Sequence, residues 1–216
     1  VLITADRGLC GAFNTNLTKA AQAFMRENSD KTIEIMAIGR KGRDFFRNRR
    51  ATISSEYIGL TGKVRVEFSE ALEVARAIIK QYTEDTGIDK VFIVYNEFKS
   101  VLSQRVVLEQ LLPVSRAKTE EPDAKSQQPA TLVDYIYEQP PEEMFGKLLP
   151  RLIETQIFRA LLESIASEQG ARMTAMDSAS KNASELIDSL TLNMNRVRQA
   201  AITNEIIEVV SGAAAL

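Results

Sequence analysis

Apolar and polar residues in the first part of the chain alternate between the period of a strand and that of a helix. Strand-like apolar runs occupy five stretches: Val1–Thr4, Thr32–Ile38, Ala51–Leu60, Val91–Tyr95 and Val106–Leu112. Between them, apolar residues recur every three or four positions, which is the spacing of one helical face. The most regular helical stripe, which Gly87 is placed to end, follows Phe68, Ala71, Leu72, Ala75, Ile78, Ile79 and Tyr82.

Two further helices are predicted in the same part. Asn14 or Thr15 is placed to cap a helix whose apolar face holds Leu17, Ala20, Ala21 and Phe24. A shorter helix over Arg40–Arg50 would turn Phe45 and Phe46 inward. The order is therefore β-α-β-α-β-α-β-β, and the last two strands are close enough in sequence to form a hairpin. This order predicts an α/β fold with an open Rossmann-like sheet covered by helices.

The chain changes character after about residue 117. Residues from about 117 to 130 are polar and acidic, which predicts a surface loop, and Thr131–Tyr137 is a candidate for one more strand. After Pro141 no strand pattern remains, and Pro150 predicts a break or kink near the start of a long helix. We therefore expect a globular α/β domain over residues 1–138 and a C-terminal helix over residues 139–216.

The C-terminal segment carries a heptad pattern. From Arg151 to its end at Leu216 it would be about 100 Å long at roughly 1.5 Å per residue, longer than a compact domain of this size. Alternating steps of four and three predict the seam of a left-handed coiled coil. Its positions, mostly apolar, are Phe158, Leu162, Ile165, Gln169, Arg172, Met176, Ala179, Ala183, Leu186, Leu190, Asn193, Val197 and Ala200.

The seam needs a second helix to cover it, and two partners remain open. A second copy of the chain would give a homodimeric coiled-coil adaptor with an α/β head. Alternatively, the chain starts at Val1, inside a strand pattern and without Met, so the partner helix would be N-terminal to Val1 and missing from this sequence. We favour the second alternative. Without its partner, we expect the helix to bend, fold back or pair with another copy.

Composition excludes several classes of protein. The 216 residues include no His, no Trp and one Cys, so His-dependent catalysis, His-ligated metals and internal disulfides are excluded. With 27 Lys and Arg against 29 Asp and Glu, the net charge of −2 argues against a nucleic-acid-binding protein. No apolar run is long enough to cross a bilayer.

One turn resembles a phosphate-binding loop. Gly8-Leu9-Cys10-Gly11 follows the first strand, but it lacks the Gly-Lys-Ser/Thr end of a P-loop and the third Gly of a dinucleotide fingerprint. A nucleotide-binding α/β enzyme would rest on this turn alone, so a tight strand-to-helix connection is the favoured interpretation. Cys10 has no His to activate it and is expected to be a small buried residue. We expect no catalytic residue, metal or cofactor.

A basic run within Arg40–Arg50 contains six cations, but a nucleic-acid site would need aromatic platforms and further basic patches, and Phe45 and Phe46 fit an inward face better. We expect these cations to be solvated or to face an acidic partner. Tyr135 and Tyr137, which share one face of the candidate strand, are either core or contact residues.

Two segments resemble a known family. The stretch ITADRGLCGAFNTNL near the start and ASEQGARMTAMDSASKNASELIDSLTLNMNRVRQAAITNEIIEVVSGAAAL at the end closely resemble the gamma subunit of F-type ATP synthase. The hairpin VYNEFKSVLSQRVVLEQLLP and the later DYIYEQP are similar to the same family, so the resemblance covers nearly the whole chain. In this family an N-terminal helix pairs antiparallel with the C-terminal helix, which would explain the uncovered seam.

The resemblance implies a central-stalk rotor that transmits torque between the proton-driven c-ring and the catalytic beta subunits. Its partners would be the alpha and beta subunits, the epsilon subunit and the c-ring, and it would reach the membrane only through the complex. Catalysis would lie on the beta subunits, which makes this chain a non-catalytic subunit. A single Cys excludes the regulatory dithiol of chloroplast members, so a bacterial-type subunit at the cytoplasmic face of the membrane is implied.

The resemblance also implies contact residues. Polar contacts to the alpha/beta hexamer would be Arg198, Gln199, Thr203 and Glu205, with Glu208 as a weaker candidate and Arg172 facing an acidic loop of a beta subunit. The last turns, around Ile206–Val210, would form an apolar tip in its bearing. Contacts to epsilon and the c-ring would involve Tyr135, Tyr137 and Glu138.

Overall fold

The computed structural model describes residues 1–63, 65–85, 87–114 and 140–214. Its elements occur in the predicted order: β1 (Leu2–Ile3), α1 (Phe13–Glu27), β2 (Ile35–Ile38), α2 (Arg40–Arg47), β3 (Ile53–Tyr57), α3 (Phe68–Glu84), β4 (Val91–Phe98), β5 (Gln104–Leu112) and α4 (Pro141–Ala214). The predicted acidic loop, the candidate strand Thr131–Tyr137 and the residues Tyr135, Tyr137 and Glu138 lie outside the described residues.

The five strands form one sheet in the order β3-β2-β1-β4-β5. The first four strands of this order are parallel, and β5 returns antiparallel to β4, with Val94 opposite Leu108 in the predicted hairpin. Parallel strands are buried on both faces by their crossover helices, and β2 is accordingly buried at every position. The predicted open α/β sheet is confirmed.

Side-chain alternation along the strands divides the core into two layers. One layer packs Ile3, Met36 and Ile38 against α3 and the first part of α4. The other layer packs Leu2 and Ala37 against α1 and α2, where Phe46 is fully buried as predicted. Phe45 is only half-buried and packs edge-on against Phe46. The helix α4 is therefore part of the core of the sheet domain as well as an extension from it.

Asp6 connects the loops at the carboxyl edge of the parallel strands. One carboxylate oxygen accepts the Arg40 amide at 3.0 Å, and the other accepts the Gly59 amide, the Thr61 hydroxyl and the Gly62 amide at 3.0, 3.0 and 2.8 Å. These donors belong to the starts of α2 and of the loop that leads to α3. A single side chain following β1 thus fixes both neighbouring connections.

Asn14 does not cap α1 as predicted. The helix begins at Phe13 without a side-chain cap from Asn14 or Thr15. The side-chain oxygen Oδ1 of Asn14 instead accepts a hydrogen bond from the Ala5 amide at 3.0 Å. The Asn14 amide group reaches the Cys10 sulfur at 3.2 Å. This side chain closes the turn between β1 and α1, because bonds to both ends of that turn replace the local capping bond. The predicted end of α3 at Gly87 is also late, since the helix ends at Glu84.

Of the break or kink predicted at Pro150, the break is wrong, because α4 is one helix of 74 residues with Pro150 inside it. Proline removes one backbone hydrogen bond and leaves the carbonyl of the residue four positions earlier without its partner. Here the residue four positions earlier is Gly146, and both positions are exposed to water. The expectation that the helix folds back on itself is also wrong, since the helix is uninterrupted to Ala214.

The close contact between β1 and the start of α2 predicts a large effect of one glycine. A Cβ on Gly39, whose φ is +95°, would lie 2.0 Å from the Thr4 carbonyl oxygen. Gly39→Ala should therefore lower the free energy of unfolding by about 3 kcal/mol or more, since strain and a backbone clash combine. Gly59→Ala is the matched control, because Gly59 has a φ of +88° and open space around its Cβ position. Its cost should be about 1 kcal/mol. Urea unfolding measures both, and equal losses would contradict the clash.

Candidate functional site

The root segment of α4, residues 153–171, lies along β4 and α3. Its buried side chains Ile153, Ile157, Leu161 and Ile165 belong to the core layer shared with α3. They form a second helical stripe, spaced every four residues, which runs beside the predicted seam and shares Ile165 with it. Phe158 of the predicted seam packs edge-on against Phe68 of α3 with ring centroids 5.4 Å apart. The first part of the seam is thus already occupied by the chain's own sheet domain.

The end of the root segment covers the carboxyl ends of β1 and β4. Strand order reverses direction between β1 and β4, and open α/β sheets bind ligands in the crevice at this point. The Ser167 hydroxyl donates to the Asn96 carbonyl at 3.3 Å, and Ala171 packs beside the turn after β1. A Cβ on Gly170 would lie 3.5 Å from Val101 in the hairpin loop. The helix itself therefore fills the position that a nucleotide would occupy in a binding enzyme of this fold.

A shallow groove of about 350 Å³ remains beside this covered crevice. It is bounded by the turn after β1, the β4–β5 loop and α4, with Leu102 87% exposed at its rim. Polar and apolar groups line it without a carboxylate pair or a cluster of cations. In the described ranges, no group of three or more His, Cys, Asp and Glu side chains is placed to hold a metal ion. The same residues contain no helix that is apolar over enough of its length to span a membrane.

Glu168 is a buried carboxylate at the point where α4 leaves the sheet domain. The residue is 2% exposed, and one carboxylate oxygen accepts a hydrogen bond from Arg172 one turn further along. The other oxygen, Oε2, has no hydrogen-bond partner among the described residues. Burial raises the pKa of Glu168 above its ordinary value, and Arg172 only partly opposes this shift. Sequence analysis missed this residue, because a single Glu in a long polar helix gives no signal of burial.

Cys10 is buried as predicted, at 2% exposure, in the turn that faces Glu168. Burial raises the pKa of its thiol, and the nearby Glu168 carboxylate raises it further. A raised pKa keeps the sulfur in its unreactive thiol form. The turn that resembled a phosphate-binding loop is thus a packed connection between β1 and α1, bridged by the Asn14 side chain.

Arg172 lies at the boundary between the root segment and the exposed remainder of α4. Besides Glu168, its guanidinium donates to the Gln169 side chain at 2.9 Å. Its side chain is 24% exposed, so part of it remains accessible to an outside partner. The position predicted to face another subunit is therefore already engaged by a buried carboxylate of its own helix.

The distal segment of α4, residues 172–214, is exposed along nearly all of its described length. Leu186, Leu190 and Val197 of the predicted seam are 60%, 57% and 61% exposed. Apolar side chains also occupy other faces, including Leu192 and Val209, which are each 72% exposed. A helix that is apolar on several faces is normally buried on several faces.

The predicted contact residues of the distal segment fall on two faces of the helix. Gln199 and Thr203 are four residues apart and share one face, and the Thr203 hydroxyl donates to the Gln199 carbonyl at 2.8 Å. Arg198 and Glu205 are seven residues apart and share another face, with Glu208 one turn on. All five are exposed. The structure does not bring them together into one cluster.

Burial of Glu168 predicts a pH dependence of stability. The carboxyl group of Glu168 releases its proton more readily in the unfolded chain than in the folded one. The free energy of unfolding therefore falls as pH rises from the ordinary pKa of 4.5 through the raised folded-state pKa. Glu168→Gln removes this contribution. Relative to wild type, the variant should therefore gain stability in urea unfolding as pH rises above 4.5 through the raised folded-state pKa of Glu168. Glu73→Gln, at an exposed position on α3, is the control, and parallel curves for wild type and Glu168→Gln would contradict the prediction.

Comparison with known proteins supports one family across the chain. A family model described as ATP synthase matches residues 1–216. The chain is 54% identical over 215 residues to the ATP synthase gamma chain of Solibacter usitatus, covering 100% of this chain and 71% of that one. It is 49% identical over 218 residues to the gamma chain of Geotalea daltonii, covering 99% and 71%.

Solved structures agree with the observed architecture. A chain in the central stalk and c-ring of Tetrahymena thermophila mitochondrial ATP synthase has a TM-score of 0.61 at 26% identity, over 82% of this chain and 74% of that one. A chain of Euglena gracilis mitochondrial ATP synthase has a TM-score of 0.71 at 19% identity, over 99% and 70%, and shows the same fold. By sequence identity, coverage and fold, the chain belongs to the ATP synthase gamma-chain family.

Proposed function

We propose that the chain is the central-stalk rotor subunit of a bacterial ATP synthase, which transmits torque between a proton-driven ring and catalytic subunits. The observation that carries this proposal is the asymmetry of α4, whose root segment is built into the core while its distal segment is exposed along nearly all of its described length. An element held at one end and free at the other is suited to carry rotation from a head to a distant partner.

The apolar faces of the distal segment indicate what must surround it. One stripe, through Leu186, Leu190 and Val197, requires a second helix as in a coiled coil. Side chains on other faces, such as Leu192 and Val209, remain exposed even then and require further protein. A single homodimeric seam would leave these faces in water. Enclosure within a ring of alpha and beta subunits covers them.

The mechanism depends on unequal contacts around the shaft. At each angle the helix presents different side chains to otherwise equivalent catalytic subunits, and the different contact energies bias their conformations and nucleotide affinities. Gln199 and Thr203 on one face, with Arg198, Glu205 and Glu208 on the other, are proposed contacts to those subunits. Their placement on two faces supports contacts with two different neighbours at any one angle. Arg172 is a further proposed contact, through its exposed part.

The head would bind the epsilon subunit and the c-ring, through residues including Tyr135, Tyr137 and Glu138. In this arrangement the chain is a peripheral part of the membrane complex, at the cytoplasmic face of a bacterial membrane. We propose that it takes no chemical part in catalysis. The filled crevice between β1 and β4 supports this, because Ser167 and Ala171 lie where this fold otherwise binds a nucleotide.

The proposed contacts predict a loss of coupling. Gln199→Ala combined with Thr203→Ala should lower ATP-driven proton pumping of the reassembled complex by about 3-fold to 10-fold, as expected for the loss of about 1 kcal/mol of contact energy. Thr155→Ala combined with Gln156→Ala is the matched control, since it makes the same chemical changes in the root segment. Unchanged pumping in an assembled complex would remove Gln199 and Thr203 from the contact surface.

The non-catalytic role predicts that the purified chain hydrolyses no ATP and binds neither ATP nor NAD at micromolar concentration. Isothermal titration and a coupled phosphate assay measure these properties directly. Micromolar binding of ATP or NAD in the crevice beside Ala171 would favour a nucleotide-binding enzyme instead. If a complex that lacks the distal segment still couples ATP hydrolysis to proton pumping, the proposed rotor function is wrong.

A further inference from the structure

An arginine rim, formed by Arg47, Arg49 and Arg50, lies at the end of α2. The strands β1 to β4 run parallel, and α4 leaves the sheet domain at their carboxyl edge, beside Asn96 and Phe98. The rim lies at the opposite edge, where the Ile35 amide donates to the Thr52 carbonyl at 2.9 Å as β2 begins. All three arginines are exposed. The rim is therefore well separated from the surface assigned to torque transmission.

Arg50 occupies a backbone conformation that normally requires glycine. Its φ is +55°, and the Ala51 amide donates to the Phe46 carbonyl at 3.1 Å, so Arg50 is the left-handed residue that ends α2. An L-residue in this left-handed conformation costs about 1 kcal/mol relative to glycine. No ion pair offsets this conformational cost at Arg50, since among the described residues neither Arg49 nor Arg50 has an acidic partner.

Arg49 is held in a fixed orientation. Its guanidinium carbon lies 3.7 Å from the centre of the Phe45 ring, and its Nη1 donates to the Phe45 carbonyl at 3.4 Å. Stacking on an aromatic ring leaves the outer N–H groups of arginine free to bind a carboxylate. Phe45, which is half-buried and packs against the core layer beside α1 and α2, provides this platform.

A groove of about 290 Å³ runs from the rim along β3. Its walls include Ile53, Ser54, Ser55 and Glu56, and Arg47 reaches Glu56 at 3.8 Å from above. In the described sheet β3 is an edge strand, paired only with β2. An edge strand offers backbone hydrogen bonds to an added strand, and small side chains such as serine allow close approach.

We infer that the edge of β3 and the arginine rim together bind an extended acidic segment of another protein, which adds a strand to the sheet. The backbone of the segment would pair with β3, while its carboxylates would bind Arg49 and Arg50. Charge complementarity favours an acidic partner, and the free edge favours an extended protein chain over an anionic lipid surface, which offers phosphates but no strand. This inference does not depend on the rotor function.

Fluorescence anisotropy with the full chain tests this inference. The probe is a labelled peptide, acetyl-(Val-Glu)₄-amide, and two comparison peptides carry either Lys in place of Glu or N-methyl groups on alternate amides. The acidic peptide should bind at least about tenfold more tightly than either comparison. Arg49→Ala combined with Arg50→Gly should weaken its binding by about tenfold, because two exposed charge pairs are lost.

Arg50→Gly alone separates binding from folding. It should raise the melting temperature, since it relieves the left-handed strain, while it weakens peptide binding. Arg76→Ala combined with Lys80→Ala is the control for charge, because it removes two exposed cations from α3 on the other face of the sheet. Equal weakening by this control, or equal binding of the N-methylated peptide, would overturn the proposal. Binding to phosphatidylglycerol vesicles without binding to the peptide would also overturn it and assign the rim to lipid.

Discussion

The packing of the α4 root segment along β4 is the contact on which the rest of the structure depends. Without Ile157, Leu161 and Ile165, one face of the sheet would be covered by α3 alone, and the core layer would remain open. The same contact fixes where the distal segment leaves the head. Torque carried by the distal segment passes into the sheet domain largely through the root segment, because beyond residue 178 the helix is exposed along nearly all of its described length.

The carboxyl edge of the sheet shows how a fold associated with nucleotide binding is adapted to a mechanical role. In such folds, loop amides at this edge commonly bind phosphate. Here the amides of Arg40, Gly59 and Gly62 donate to the Asp6 carboxylate, so an anion of the chain itself satisfies them. The crevice beside them is filled by Ser167 and its neighbours. Groups that would bind a ligand elsewhere instead hold the loops and the helix in one arrangement.

The order of strands and helices along the chain, the hairpin and the length of α4 could be predicted from sequence because each depends on local periodicity. The role of the root segment could not, because two apolar stripes share one helix there. Ile153, Ile157 and Leu161 face the sheet, whereas Leu162 of the predicted seam is 42% exposed, and periodicity alone cannot assign a partner to each stripe. The prediction that Asn14 caps α1 was wrong for a related reason: a cap is a local preference, and the Asn14 side chain instead binds the amide of Ala5, nine residues earlier in the loop after β1. The family resemblance supplied contact residues, but only the folded structure shows that Glu168 is buried.

Two residues depart from the locally most stable choice, and they lie at opposite edges of the sheet. Glu168 has a buried carboxylate oxygen without a partner, and Arg50 takes a conformation suited to glycine. Each costs stability that a Gln or a Gly would recover, so folding alone does not explain either one. Glu168 stands where the helix leaves the head and Arg50 beside a free strand edge. Unfavourable choices of this kind cluster at functional sites, which supports the two proposed contacts, one at each edge of the sheet.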